Sequence, residues 1–241
     1  MALPLPPKSA CTPADAPVVN GLLDSCIAYR PTATSTYQFY DEIDAWLGPW
    51  GASGYPIGYG KKYNILFTTN PPLNRDLNWG KKWVERTTVY LQETLKTYLV
   101  GRVGAGSIAT LTEQELRDVA FASHPDVYRR AGLFDVIDHS PELLLVILVI
   151  PYEQYNPTNP NFVATILQIV RTLTGAKFVE LLQAGIGSTV RSLPPTILIR
   201  FLWDLAAGRI PGVPPLPPGA RDDAFADKLG AFGGFINIFE S

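Results

Sequence analysis

The amino-acid sequence predicts a mainly α-helical protein built around a single globular domain. Apolar side chains recur three and four residues apart along several segments, which is the period of an α-helix packed on a core. A capping box opens one of these segments and prolines open several others, and glycines follow several of their ends. Signals for β-strands are few, although the apolar run 143–150 could also form a buried strand.

The N-terminal region is predicted to begin with an extended arm, because residues 1–17 contain five prolines. A short helix follows, and its expected apolar stripe comprises Val18, Leu22, Leu23, Cys26 and Ile27. A second helix is expected over residues 35–47. Its apolar face carries Phe39, Ile43 and Trp46.

An irregular loop is predicted after the second helix. Residues 48–60 read GPWGASGYPIGYG, and glycine and proline at this density oppose a regular helix. We therefore expect a structured loop or a tight hairpin here, with irregular structure reaching to about residue 73.

The clearest helix is predicted over residues 78–99. Its apolar positions recur at helical spacing and comprise Val84, Thr88, Leu91, Leu95 and Tyr98. Asn78 is the expected N-cap, and Gly101 is expected to take the left-handed conformation just past the helix end.

Two further helix starts are predicted between residues 112 and 132. Thr112 and Glu115 form a capping box that opens a helix running through Phe121. Pro125 then favours a new start, with Gly132 as the C-cap.

The C-terminal half repeats the same signals. Helices are expected from Ser140-Pro141 over 143–150, from Asn159-Pro160 to Gly175, over 177–190, and from Pro194-Pro195 to Gly208. The predicted helical domain therefore spans residues 18–208. Residues 209–241 are expected to form a proline-rich linker and an apolar C-terminal tail.

Composition argues against several classes of partner and site. The formal net charge is −2 and the basic residues form only doublets, so no nucleic-acid partner is expected. The longest apolar run is far below the ~20 residues of a membrane span, which disfavours a membrane partner. No zinc or phosphate motif occurs, so neither a metal nor a cofactor is predicted. Two cysteines allow one disulfide or two thiols.

Localisation follows from the first residues. They lack a basic segment followed by an apolar one, so synthesis in the cytoplasm without a signal peptide is expected. Export would then require a specialised secretion apparatus.

Carboxylates and aromatic residues lie close together between residues 41 and 59. The candidate catalytic residues are Asp41, Glu42 and Asp44, and the candidate ligand-binding residues are Trp50, Tyr55 and Tyr59. Aromatic rings stack on sugar faces, and a carboxyl packed against a tryptophan would have the raised pKa that a general acid needs. The pattern thus favours a glycan cleft.

Residues 42–61 also resemble phage-type lysozymes, in which a catalytic helix leads into a hairpin with a TIGYGH-like motif. Residues 54–60, reading GYPIGYG, carry this resemblance, which implies that Glu42 is the acid of a cell-wall glycan hydrolase. Pro56 and Lys61 depart from the motif's threonine and histidine. The later aspartate of the family falls on Gly51 or Trp50.

His124 is the other catalytic candidate, with Asp126 as the residue that orients it. The alternative is structural, because a histidine at a helix start can cap a backbone donor. His139 stands at a similar position before Ser140, with the same two interpretations.

A second resemblance covers more of the chain. The segments YGKKYNILF, GKKWVERTTVYLQETL and AFASHPDVYRRAGL are similar to a family of uncharacterised bacterial proteins associated with secreted effectors and contractile injection systems. This resemblance implies a bacterial effector or cargo-like protein, with no catalytic residues to transfer.

Two alternatives to this function remain open. The first is a non-catalytic interaction protein that binds a protein partner through the tail 222–241 or through an aromatic face: Tyr63, Trp79, Trp83 and Tyr90. The second is a membrane-active toxin that inserts the helices of 141–207 into lipid.

Overall fold

A computed structural model describes residues 3–140, 143, 146, 147, 150 and 151. Within these residues the fold is mainly α, as predicted, and contains no strand. The helices are α1 (Ala16–Ser25), α2 (Gln38–Leu47), α3 (Lys62–Thr68), α4 (Pro71–Arg75), α5 (Gly80–Gly104), α6 (Glu113–Arg130) and α7 (Leu133–His139). Short 3₁₀ turns lie at Lys8–Ala10, Pro13–Asp15, Gly51–Ser53 and Ile108–Thr110, and a π-helix covers Pro56–Lys61.

These helices belong to the first of two units of the chain, Met1–Ile150, so the predicted domain 18–208 reaches beyond this unit. The helices expected over 159–175, 177–190 and 194–208 lie outside the described residues, as do the linker and tail 209–241.

Helix α5 lies at the centre of this unit, and α1, α3, α4, α6 and α7 pack against it. Its buried residues include Trp83, Val84, Leu95, Leu99 and Val103. The predicted end is wrong, because Gly101 lies inside the helix and the left-handed glycine is Gly106 (φ 65°). The buried Val103 explains this extension, since its packing requires one more helical turn. At the other end Trp79, not Asn78, is the N-cap.

The buried Gln92 ties the segment between α1 and α2 to α5. Its Oε1 accepts a hydrogen bond of 2.7 Å from Ala28 N–H, and its Nε2 donates one of 2.7 Å to Thr36 O. The Gln92 side chain is fully buried. One polar side chain therefore satisfies two backbone groups of a segment that has no helix of its own.

The segment predicted as an irregular loop is largely helical, and this prediction is wrong from residue 56 onward. Pro56 occupies the first position of the π-helix, where its missing N–H costs no hydrogen bond. Gly58 and Gly60 serve close packing, because a Cβ there would lie 2.2 Å from Ala52 O and 2.5 Å from the Tyr40 ring, respectively. Helical structure is interrupted before this point, at Gly48 (φ 143°) and Gly51 (φ 59°), whose positive φ angles favour glycine.

Helix α6 begins at the predicted capping box, since Thr112 Oγ1 accepts from Glu115 N–H and Glu115 accepts in return from Thr112 N–H. The predicted restart at Pro125 is wrong, because the helix continues through it to Arg130. Buried side chains on both sides of the proline, Phe121 and Val127 among them, hold the helix together despite one lost backbone hydrogen bond. Gly132 is left-handed (φ 100°) and follows the C-cap, Ala131.

The arm and α1 differ from prediction in detail. The arm makes two 3₁₀ turns, and α1 already begins at Ala16. Val18 is 56% exposed, because Val19 takes its place on the buried face with Leu23.

Both cysteines are free. Cys11 lies between the two turns of the arm and is half-buried, whereas Cys26 is buried, with its Sγ 3.1 Å from Leu23 O. Burial raises the pKa of the Cys26 thiol to about 12.

Candidate functional site

A cavity of about 40 Å³ lies between the π-helix, α3, α5 and α6. Its walls are aromatic and polar and are formed by Tyr40, Tyr55, Tyr59, Gly60, Tyr63, Asn64, Phe67, Trp83, Val84, Thr87, Thr88, Leu91, His124 and Tyr128. A concave site of this kind, lined by aromatic rings with a few polar groups, is typical of binding sites for small molecules. We call it the aromatic cavity.

Three tyrosines spaced four residues apart lie at the N-cap of the π-helix, inside it and in α3. The rings of Tyr55 and Tyr59 stack with centroids 5.6 Å apart, and those of Tyr59 and Tyr63 lie 4.5 Å apart. A spacing of four places side chains on one face of such a helix. π-Helices are rare and occur often at functional sites.

Helix α6 supplies the opposite wall. His124 stacks on Tyr128 with ring centroids 5.4 Å apart and on Tyr59 with centroids 5.8 Å apart. His124 is 1% exposed, and its Nε2 lies 3.5 Å from the Tyr55 hydroxyl. The imidazole is therefore enclosed by aromatic rings and next to a phenol.

Two phenols of the cavity, those of Tyr40 and Tyr55, are protonated. Burial raises the pKa of Tyr55 well above its ordinary value, and the pKa of Tyr40 is raised for the same reason, so both phenols keep their protons. Thr36 Oγ1 donates to Asn64 Oδ1 at 2.8 Å, which fixes the Asn64 amide. Among the described residues, no Asp, Glu, Lys or Arg lines the cavity.

The side chain of Thr87 also lines the cavity. Thr87 is 7% exposed, and its buried Oγ1 has no hydrogen-bond partner within the part of the chain that the structure describes. An unpaired buried polar group costs about 1–3 kcal/mol. A hydroxyl left in this state beside a cavity is suited to a molecule that enters the cavity.

The predicted carboxylates are held by other groups. Glu42 Oε2 accepts a 2.9 Å hydrogen bond from Leu3 N–H of the arm, and Asp41 forms a 2.7 Å ion pair with Lys61. Asp44 is buried; its Oδ2 accepts from Gly51 N–H at 3.3 Å, while its Oδ1 has no partner among the described residues.

The structure does not assemble the expected glycan cleft. Tyr55 and Tyr59 point inward, where they pack on Phe121, and they are 2% and 6% exposed. Neither Glu42 nor Asp44 lines the aromatic cavity. The reason is the π-helix, which turns these tyrosines toward the core where a hairpin would present them to solvent.

The predicted pairing of His124 with Asp126 is also wrong. Asp126 is exposed and pairs with Arg129, whereas His124 is buried in the middle of α6. Two residues that are two positions apart on a helix point in different directions. The other histidine, His139, stacks on Trp79 with ring centroids 3.9 Å apart.

The predicted aromatic face is divided between two environments. Tyr63 and Trp83 are buried in the walls of the cavity, whereas Trp79 and Tyr90 are half-buried. The four rings therefore do not form one exposed surface.

Among the cavity residues, the sequence pointed to Tyr55, Tyr59 and His124 as site candidates and to Tyr63 and Trp83 as part of an aromatic face, but not to Thr87 or Asn64. The spacing of four between the tyrosines was a usable signal. A segment rich in glycine and proline predicts a loop, however, and in a loop that spacing has no structural meaning. The glycine and proline residues between the tyrosines therefore prevented the spacing of four from being interpreted as helical.

Asp44 makes the stability depend on pH. Burial raises its pKa above that of the unfolded chain, so the folded state binds more protons and stability falls as the pH rises from about 4 through the raised pKa. We expect Asp44→Asn to gain stability relative to wild type over this range. Urea unfolding at a series of pH values measures it; a difference that is constant with pH would contradict this effect.

The chain matches no known protein family, no curated protein and no solved structure. The resemblances to phage-type lysozymes and to effector or cargo-like proteins therefore stay predictions. Among the described residues, no helix is both long and apolar enough to cross a membrane, and no three acidic, cysteine or histidine side chains are grouped as metal ligands.

Proposed function

We propose that this protein binds a small, neutral, polar molecule in the aromatic cavity. The observation that carries the proposal is the unpaired Thr87 hydroxyl in an aromatic wall that contains no Asp, Glu, Lys or Arg among the described residues. A ligand that donates to or accepts from this hydroxyl would remove the cost of its burial.

The size and charge of the cavity define the ligand class. A volume of about 40 Å³ holds roughly three water molecules or a compact molecule of a few non-hydrogen atoms. An ion entering it would lose its hydration with no Asp, Glu, Lys or Arg among the described lining residues to compensate, which disfavours carboxylates and ammonium ions. Short amides and alcohols satisfy both conditions.

Acetamide and acetate provide a direct test, because they share a shape and differ in charge. The chain has two histidines, His124 in the cavity wall and His139 outside it, so imidazole NMR signals report on the cavity and on a surface control at once. We expect acetamide to shift the His124 signals at roughly millimolar concentration, given the modest affinity available to so small a ligand. Acetate should leave them unchanged. Equal effects of the two compounds, or parallel shifts of His139, would refute the proposal.

Thr87→Val is expected to stabilise the protein by about 1 kcal/mol and to weaken acetamide binding. Valine keeps the shape of threonine and removes the hydroxyl that is buried without a partner. Urea unfolding and acetamide titration measure the two effects. The control is Thr97→Val on the exposed side of the same helix, which should change stability by less than about 0.5 kcal/mol. A destabilised Thr87→Val with unchanged binding would contradict this account.

A glycan hydrolase is the second candidate, and the observation that favours it is Asp44. Burial raises the pKa of this carboxyl, as general acid catalysis requires. Digestion of peptidoglycan by wild type, Glu42→Gln and Asp44→Asn tests it. Release of soluble fragments by wild type and its loss in one variant would support hydrolysis and identify the acid, and no release by wild type would exclude hydrolysis of this substrate.

A further inference from the structure

The proline-rich arm binds α2 through its backbone. Trp46 Nε1–H donates a 2.8 Å hydrogen bond to Pro6 O, and Leu3 N–H donates to Glu42 Oε2 at 2.9 Å. At the end of the segment, Lys8 Nζ donates to Leu111 O at 2.7 Å. These three contacts hold residues 3–8 against the folded domain.

Some side chains of the arm face the domain and others face solvent. Leu3, Leu5 and Pro6 are half-buried, whereas Pro4 and Pro7 are exposed. A tryptophan that packs beside a proline-rich segment and donates its indole N–H to a backbone carbonyl uses the general chemistry of proline-rich peptide recognition. The carbonyls of Leu3 and Pro7 accept from N–H groups within the arm, whereas Pro6 O accepts from Trp46. We call the surface that contacts the arm, formed by Glu42, Trp46 and Leu111, the proline groove.

The same tetrapeptide occurs twice in the chain. Residues 4–7 read Pro-Leu-Pro-Pro, and residues 215–218 repeat this sequence. The flanking residues differ: Pro214 replaces Leu3 and lacks an N–H, and Gly219 replaces Lys8 and lacks an ammonium group. The second segment could therefore reproduce the contact with Trp46, through Pro217 O, but not the two outer contacts.

We propose that the proline groove is a peptide-binding site and that its second ligand is the segment 215–218 of another copy of this chain. The arm of the same chain has an effective concentration on the order of millimolar and makes two more hydrogen bonds, so it fills the groove in an isolated molecule. Binding between copies requires release of the arm.

The test uses a fluorescent synthetic peptide of residues 212–221 and full-length variants. Leu3→Ser, Leu5→Ser and Pro6→Ser together remove the half-buried side chains of the arm; Pro4→Ser and Pro7→Ser are the matched control at exposed positions. By fluorescence anisotropy, we expect the triple variant to bind the peptide at least about tenfold more tightly than wild type does, because its arm has lost the packing of these three side chains and competes less well. The control variant should behave like wild type.

Two further measurements decide the assignment. Adding Trp46→Phe to the triple variant keeps a ring but removes the indole donor, and should abolish the gain in peptide binding. Sedimentation of the triple variant should show concentration-dependent self-association that an excess of the peptide reverses. Two results would contradict the proposal that the proline groove binds peptides. In the first, the triple variant has wild-type helix content but binds no peptide. In the second, it binds the peptide equally well with and without Trp46→Phe. If the triple variant binds the peptide but stays monomeric, another copy of this chain is not the natural ligand of the groove.

Discussion

Gln92→Leu is expected to lower the free energy of unfolding by about 3 kcal/mol. Leucine has a similar size but leaves Ala28 N–H without its acceptor and Thr36 O without its donor, and each buried unpaired group costs about 1–3 kcal/mol. The loss is large relative to the 5–15 kcal/mol that stabilise a typical domain. Urea unfolding monitored by circular dichroism measures it.

The matched control is Gln114→Leu on α6. The Gln114 side chain is exposed and donates to the exposed Asp118, so this change should alter stability by less than about 0.5 kcal/mol. Similar losses in both variants would show that glutamine burial and its two hydrogen bonds are not what holds the segment between α1 and α2.

Gly60→Ala is expected to destabilise the protein by about 2–3 kcal/mol and to eliminate acetamide binding. A Cβ at this position would lie 2.5 Å from two ring atoms of Tyr40, and that ring cannot move aside because Tyr40 is 2% exposed. Any displacement of Tyr40 also changes the wall of the aromatic cavity. Thermal unfolding and the histidine NMR titration measure the two effects.

Gly101→Ala is the comparison, and it should raise the stability of the protein where Gly60→Ala lowers it. Gly101 lies inside α5 with nothing within 4 Å of its would-be Cβ, so alanine should stabilise the helix by about 1 kcal/mol. If both glycine variants were stabilising, close packing at Gly60 would not be the reason for its glycine.

Features that depend on neighbours along the chain could be predicted from the sequence. The capping box of Thr112 and Glu115 involves residues three positions apart, and the periodic apolar residues of α5 identify that helix without reference to the rest of the molecule. The mainly α fold follows from several such local patterns.

Features that depend on distant neighbours could not be predicted in this way. Gly60 is a glycine because of Tyr40, and a sequence pattern does not distinguish this reason from a turn. The aromatic cavity combines Tyr55 with His124, which lies 69 residues later, and the polarity of its walls depends on burial. For the same reason Pro125 looks like a helix start, although packing on both sides carries the helix through it.

An alkylating reagent should distinguish the two thiols of the unmodified chain, because the thiols lie in different environments. With a pKa raised to about 12 by burial, Cys26 stays protonated at pH 7, and its sulfur is buried as well. Cys11 is half-buried and belongs to the arm, so a maleimide dye should attach there first. A fluorophore at Cys11 would follow detachment of the arm in real time, without the removal of either cysteine.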